Sequence, residues 1–461
     1  MVTLLFFSLY YYRLRMFSDT AGCVTDIIRK DGFTMAHSRF IAIINQLLPV
    51  ALLKAHASLK AIAIAYSFNH TLVPVVLALL CMHWLKRPYH ALAMMLQAVL
   101  MSVLLFYYPI SELQMGLFLL LFYDALADDA AERGRRTAFL TGTLILLPVI
   151  AFSHPMMLLV CAGWLCYRFL KDRTDYLNTG IAALVLVAAF CVKKFWFTSN
   201  YEVDKTITWE KFRHFRFQYY QDPFALSIYR YVLNDAFLVL FVLLCSMALL
   251  IWMKKYRLLG LLIAMVIGII TLLLLNFEDG WSYHYDHYNE HLVQPVVFFI
   301  VLFFCYTLPK VPGNIHLKTG IVALILMISL VKIYGGRESH IARQKWIYSY
   351  LALMDRLQVK KAVLGRNWVP ESMVQGTFWS ANWESLILSS LDGPERSKTL
   401  FMAWYVDKVS EPVWSPNHFV TDGGGYRQNT LPERYFVLGD KPYVFLEKVV
   451  PHMVLERLRW P

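Results

Sequence analysis

Charge is scarce in this chain. Only 16% of its 461 residues are Asp, Glu, Lys or Arg, and 58% are hydrophobic; soluble domains carry about 25% charge and about 45–50% apolar residues. That balance excludes a water-soluble enzyme. Disorder is excluded as well, because 31 Phe, 27 Tyr and 13 Trp bring too much apolar surface to leave in water. Cysteine is thin: there are seven, none follows Cys305, and no CxxC pair occurs. A disulfide framework and a zinc ribbon are therefore both excluded. No Walker motif, nucleophile elbow, Ser-His-Asp order, solenoid repeat or low-complexity tract is present. Gly423-Gly424-Gly425 lacks the lysine and the strand-to-helix setting of a phosphate loop and reads as a turn.

What the chain has instead is apolar runs. They fall near 1–12, 58–82, 91–107, 112–126, 137–152, 155–170, 178–196, 229–253, 258–276, 292–308 and 318–334. These predict a polytopic α-helical membrane protein of about eleven transmembrane helices. The first run is short: twelve residues reach about 18 Å, where about 30 Å of hydrocarbon must be crossed. The stretch 38–53 is apolar but dotted with Arg39, Gln46 and, just beyond it, Lys54, which suits an interfacial or re-entrant helix.

The excess of 44 Lys+Arg over 32 Asp+Glu, a net charge of +12, reports topology. Lys86 and Arg87, Arg133 to Arg136, Lys171 and Arg173, Lys254 to Arg257, and Lys310 with Lys318 occupy alternate connections, while the short loops between them lack Lys and Arg. The positive-inside rule places the basic set and the N-terminus in the cytoplasm. Residues 13–57, 197–228 and the tail then face outward. Arg13 and Arg15 break the rule there, and a phosphate ligand is one reason for such an exception. The expected organisation is a transmembrane domain at 1–334 with an outer loop at 13–57, followed by a small extracytoplasmic α/β domain at 335–461. In that tail a helix is expected over Ala342–Leu357 and another over Phe378–Leu391. Strands are expected at Lys361–Leu364, Thr399–Trp404, Arg434–Leu438 and Tyr443–Glu447.

Charges at a membrane edge are costly and mark candidate sites. Asp19 directly follows the first run and is placed to act as a general base for a hydroxyl, with Glu112 at the same edge. Arg13, Arg15 and Arg39 suit phosphate oxygens, and Lys193 and Lys194 either snorkel to headgroups or meet the same phosphate. A second cluster runs from Glu278 to His291. In it His284, His287 and His291 share one helical face, with Tyr283 and Glu290 beside them. It reads as a divalent-metal site, a substrate contact or an aromatic belt at the headgroups. The loop 197–228 mixes charges with aromatics and reads as an interfacial helix or a headgroup grip. Asp128, Asp129 and Glu132 among arginines read as a solvated, charge-balanced loop.

The segment SDTAGCVTDIIRKDGFTMAHSRF, from Ser18 to Phe40, resembles the first outer loop of GT-C glycosyltransferases, the polyprenyl-phosphate-dependent membrane enzymes. The nearest types are the protein O-mannosyltransferase and aminoarabinose-transferase branches. Asp19 matches their acidic position, Ala21–Lys30 their amphipathic helix and Asp31-Gly32 their turn, with Thr20 where a second acid is common. The resemblance implies transfer of a sugar from a polyprenyl-phosphate-linked donor to a glycan, lipid or protein acceptor. It implies an inverting reaction with Asp19 as base and Arg13, Arg15, His37 and Arg39 near substrate. It also implies a bacterial inner-membrane location. A transporter or flippase of a lipid-linked precursor, or a non-catalytic scaffold on the same frame, are the alternatives, and no nucleic-acid partner is expected.

Overall fold

The computed structural model describes residues 1–109, 112–171, 176–199, 202–203, 209–213, 216–221, 223–276, 286–370, 380–403, 415–421 and 425–459. The chain opens with α1 (Val2–Tyr10), α2 (Asp19–Arg29), α3 (Ala42–Lys54), α4 (Leu59–Leu79), α5 (Pro88–Val99) and α6 (Glu112–Arg133). It continues with α7 (Arg136–Ala151), α8 (Met157–Lys171), α9 (Tyr176–Val192), α10 (Pro223–Asn234), α11 (Phe237–Trp252), α12 (Tyr256–Asn276), α13 (Asp286–Thr307) and α14 (Ile315–Arg356).

Every apolar run except that at 91–107 is essentially helical, but the count of spans is not eleven. Five helical stretches among the described residues are long and apolar enough to cross a membrane: Leu59–Trp84, Tyr176–Phe197, Tyr256–Asn276, Glu290–Lys310 and Ile315–Arg356. The reason is length and charge. At 1.5 Å per residue, the 12 residues of α5 reach about 18 Å and the 15 of α8 about 22 Å, short of a bilayer core. The longer α6 carries Asp124, Asp128, Asp129 and Glu132 in its second half. The predicted run 229–253 is broken at Asp235-Ala236, where the two helical pieces meet at 86°. Lys332 Nζ donates to the carbonyls of Asn234 and Asp235 that this break frees.

Two large apolar cores and three smaller clusters result among the described residues. The larger joins α5 to α13 around α6, α8 and α13, with Phe298, Phe299 and Trp164 buried. The second is shared between the tail and the first helices. Strands β1 (Lys361–Gly365), β2 (Thr399–Ala403) and β5 (Val444–Phe445) form a parallel sheet in the order β2-β1-β5. Between β1 and β2 the chain forms α15 (Ala381–Ser390). Two further short strands, β3 (His418–Phe419) and β4 (Tyr426–Arg427), pair antiparallel. Ala362, Leu364, Leu386 and Leu400 pack in one cluster with Val24 and Ile28 of α2, Leu53 of α3, Ile62 of α4 and Trp346 of α14. The tail thus closes its core on α2 to α4. No strand forms at 434–438. Tyr435 Oη instead donates to the carbonyl of Ala57 at 3.0 Å, in the break between α3 and α4.

Residue 335, where the composition changes, lies inside α14, which runs unbroken for 42 residues from Ile315 to Arg356. Its Gly335-Gly336 pair divides in function. A Cβ on Gly336 would stand 2.5 Å from the carbonyl oxygen of Val103, whereas one on Gly335 meets nothing within 4 Å. Gly336→Ala is therefore expected to destabilise the detergent-solubilised protein by about 1–3 kcal/mol. Gly335→Ala is expected to stabilise it by up to about 1 kcal/mol through helix propensity. Equal effects of the two in thermal unfolding would contradict the close crossing at Val103.

Candidate functional site

Asp19 opens α2, and the chain reaches it through Ser18 at φ 52° and ψ −128°. That left-handed backbone favours glycine and costs a serine about 1–3 kcal/mol. It is held from the tail. Glu384 of α15 accepts the Ser18 N–H at 3.0 Å and the Ser380 hydroxyl at 2.8 Å. The same carboxylate takes a two-pronged contact from Arg343 of α14, Nε at 2.9 Å and Nη2 at 2.8 Å. Both side chains are buried. Arg343 also stacks on Phe17, 5.1 Å from its ring centre. Gly22 lets this part of α2 approach Trp383, whose ring would lie 3.2 Å from an added Cβ.

Tyr108 Oη donates to Asp19 Oδ2 at 2.6 Å. Tyr108 is placed by the 3-10 turn Leu105–Tyr107, and Glu290 fixes the start of that turn. Its carboxylate accepts the N–H of Leu105 at 2.6 Å, that of Leu104 at 2.8 Å, and the hydroxyl of Tyr231. Burial pushes the Asp19 carboxyl up to about 6. The Tyr108 hydrogen bond opposes the rise, and the charges of Glu112 and Glu384 add to it. Asp19 nevertheless keeps partial solvent exposure, so water reaches it.

A chain of alternating charges continues from Glu112. Arg39 Nη1 lies 3.4 Å from Glu112, Arg39 Nε 3.6 Å from Glu202, and Lys193 Nζ 3.4 Å from Glu202. These are ion-pair distances, and among the described residues Arg39 Nε and Lys193 Nζ have no hydrogen-bond partner. The hydroxyls of Ser18 and Thr20, on either side of Asp19, are also buried without one. Unsatisfied buried polar atoms are rare in folded proteins, so these four stand out. Lys193 turns inward because the last turn of its helix, Lys193–Phe197, is a π-turn; Lys194 is left exposed. His37, at φ 54°, meets Ser199 Oγ at 3.1 Å. His154 and His291 stand edge to face at 5.8 Å. Burial holds His154 well below the usual imidazole range, and the positive charges of Arg39 and Lys193 hold it there too, so it is neutral.

The structure thus brings together Asp19, Glu112, His37, Arg39, Lys193 and His291, which the sequence singles out. It adds Tyr108, His154 and Glu202, of which only Glu202 carries a sequence signal, its charge. Other expectations are corrected. Arg13 leaves the site for the surface, where it meets Asp392 at 3.3 Å and Tyr348 at 3.4 Å. Lys194 points away. Glu290 is fully buried and spent on backbone and Tyr231 donors, so it supports the site from beneath. Tyr283, His284 and the side chain of His287 lie outside the described residues, so the predicted metal face is represented by His291 alone, beside His154 and under the charge of Arg39.

Among the described residues, one His/Asp group has ligand atoms within 4.8 Å of one another: His90, Asp124 and Asp128, in the second half of α6 and the facing turn of α5. It is filled by protein cations. Arg168 meets both carboxylates, Lys171 Nζ lies 2.6 Å from Asp128, and Trp164 Nε1 donates to Asp124 at 2.9 Å. Asp124 and Asp129 are buried in a helix, so the expected solvated loop at 128–132 is corrected to an ion-paired helix end.

Breaking the Glu384 contact generates a clear expectation. Glu384→Ala strands Arg343 in the core and lowers stability by about 3–5 kcal/mol. It also frees the Ser18 amide, so hydrogen exchange there accelerates more than elsewhere in α2. Unchanged exchange at Ser18 would show that Glu384 does not hold the turn. Compared with known proteins, the chain matches no family model, and it has no match among curated proteins or solved structures.

Proposed function

We propose that the chain is an integral-membrane glycosyltransferase of GT-C type. It moves a sugar from a polyprenyl-phosphate donor to an acceptor hydroxyl at the outer membrane face. One observation carries the reading: a partly solvated carboxylate, Asp19, is held by Tyr108 and by a strained turn, near Glu112 and the ion-paired cations Arg39 and Lys193. Its proton affinity, raised to about 6, suits a base working near neutral pH. In the reaction the acceptor oxygen gives its proton to Asp19 and attacks the anomeric carbon from the face opposite the phosphate. The bond from that carbon to the phosphate oxygen breaks, and the lipid phosphate leaves with its electron pair, inverting the centre. A phosphate leaves without protonation, so a single base suffices. Arg39 and Lys193 supply positive charge where negative charge develops, and Glu112 and Glu202 keep both oriented.

A transporter of a lipid-linked precursor is the second reading, favoured by the 86° break at Asp235-Ala236. The product separates the two. Purified protein in proteoliposomes, given polyprenyl-phosphate sugars and mixed acceptors, is expected to yield a glycoside. Asp19→Asn is expected to lower the rate by about 10²–10⁴-fold. The base works deprotonated, so the wild-type rate rises with pH through a midpoint near 6 and then levels. Lipid movement without a glycoside would favour transport. Transfer that survives Asp19→Asn unchanged would refute the assigned base.

A further inference from the structure

Arg15 is the buried cation that the preceding site does not use. It is 2% exposed, lying in the segment between α1 and α2. Its Nη1 donates to Thr71 Oγ1 at 3.3 Å and its guanidinium lies 4.2 Å from the ring centre of Phe106. Its Nε is buried with no hydrogen-bond partner among the described residues. The ionisable groups beside it are the phenols of Tyr107 and Tyr66 and the imidazole of His70, and no carboxylate pairs with it among the described residues. Burial draws its pKa down to about 9, which leaves it protonated at pH 7. A guanidinium taken out of water without an anion is among the least favourable arrangements a fold can hold. His70 lies beside it on α4 with its Nε2 likewise buried and unpartnered.

Both side chains line one partly open cavity of about 50 Å³, together with Thr71 and Ser102. At about 10–15 Å³ for each water, that space takes a group of a few heavy atoms. Leu4 and Phe118 form apolar walls. A small anion on an apolar chain fits this combination of charge, donors and wall.

We propose that the Arg15–His70 cavity binds the phosphate-ester headgroup of a membrane lipid. The phosphate oxygens accept from Arg15 Nε and His70 Nε2, and the alkyl chain lies along Leu4 and Phe118. The cavity adjoins the base: Tyr66 is a neighbour of Arg15 and also of Asp19 and Glu112. It serves a transferase or a transporter alike, so it stands or falls apart from the reaction proposed above.

The test is binding, without turnover. The full chain in detergent is titrated with decyl phosphate, inorganic phosphate and decanol, followed by thermal shift and native mass spectrometry. Decyl phosphate is expected to raise the Tm and to bind at least about tenfold more tightly than either part alone. Arg15→Met is expected to match the wild-type Tm without ligand, since an apolar replacement removes an uncompensated charge, and to lose the shift. Should Arg15→Met not fold, His70→Leu and Thr71→Val carry the same test, each expected to weaken decyl phosphate binding several-fold. Equal binding of inorganic phosphate would overturn the lipid assignment. Absence of binding, or binding that survives these substitutions unchanged, would overturn the site.

Discussion

The carboxylate of Glu384 is the point on which the Asp19 end of the molecule turns. It takes two hydrogen bonds from Arg343 and one from the backbone of Ser18, and so ties α15, α14 and the start of α2 together. Each charge is buried, and each is affordable only because the other is present. The strained Ser18 turn persists because this pair over-determines it, and the turn in turn fixes where Asp19 stands. A soluble-looking tail at the end of the chain thereby decides the geometry of an acid near its beginning.

A second line of support comes from below. Glu290 holds the backbone at Leu104 and Leu105, this sets the turn carrying Tyr108, and Tyr108 meets Asp19. Asp19 is thus gripped from the tail through Ser18 and from the bundle through Tyr108. Neither grip neutralises it. Burial keeps its proton affinity high, and the acidic neighbours Glu112 and Glu384 add to that, while the cations Arg39 and Lys193 pair with Glu112 and Glu202. In the proposed transfer Asp19 is the proton acceptor, and Arg39 and Lys193 are the cations for the leaving phosphate.

Local pattern made part of this legible. An acid directly after an apolar run and an acid opening another pointed to Asp19 and Glu112, and basic residues on the wrong side for topology pointed to Arg13 and Arg15. Partnerships were not legible. Glu384 lies 366 residues from Ser18 and Glu290 lies 186 from Leu104, and no periodicity announces contacts at that separation. Span counting erred for a related reason. Hydropathy finds apolar runs, but α5 and α8 are helices of 12 and 15 residues, too short to cross a bilayer core. In α14 the apolar stretch ends while the helical hydrogen bonding continues to Arg356. Asp128 looked solvated because its cations, Arg168 and Lys171, come from α8, whereas Asp129 pairs with Arg133 and Arg135 at its own helix end.

The most direct test concerns the protonation of Asp19 itself. A hydrophobic carbodiimide modifies protonated carboxyl groups, and peptide mass spectrometry of the full chain reads labelling at Asp19 as a function of pH. Labelling at Asp19 is expected to fall with a midpoint near pH 6, shifting downward in Glu384→Gln, where a negative neighbour is removed. A midpoint near pH 4 in the wild type, that of an ordinary solvated aspartate, would contradict it.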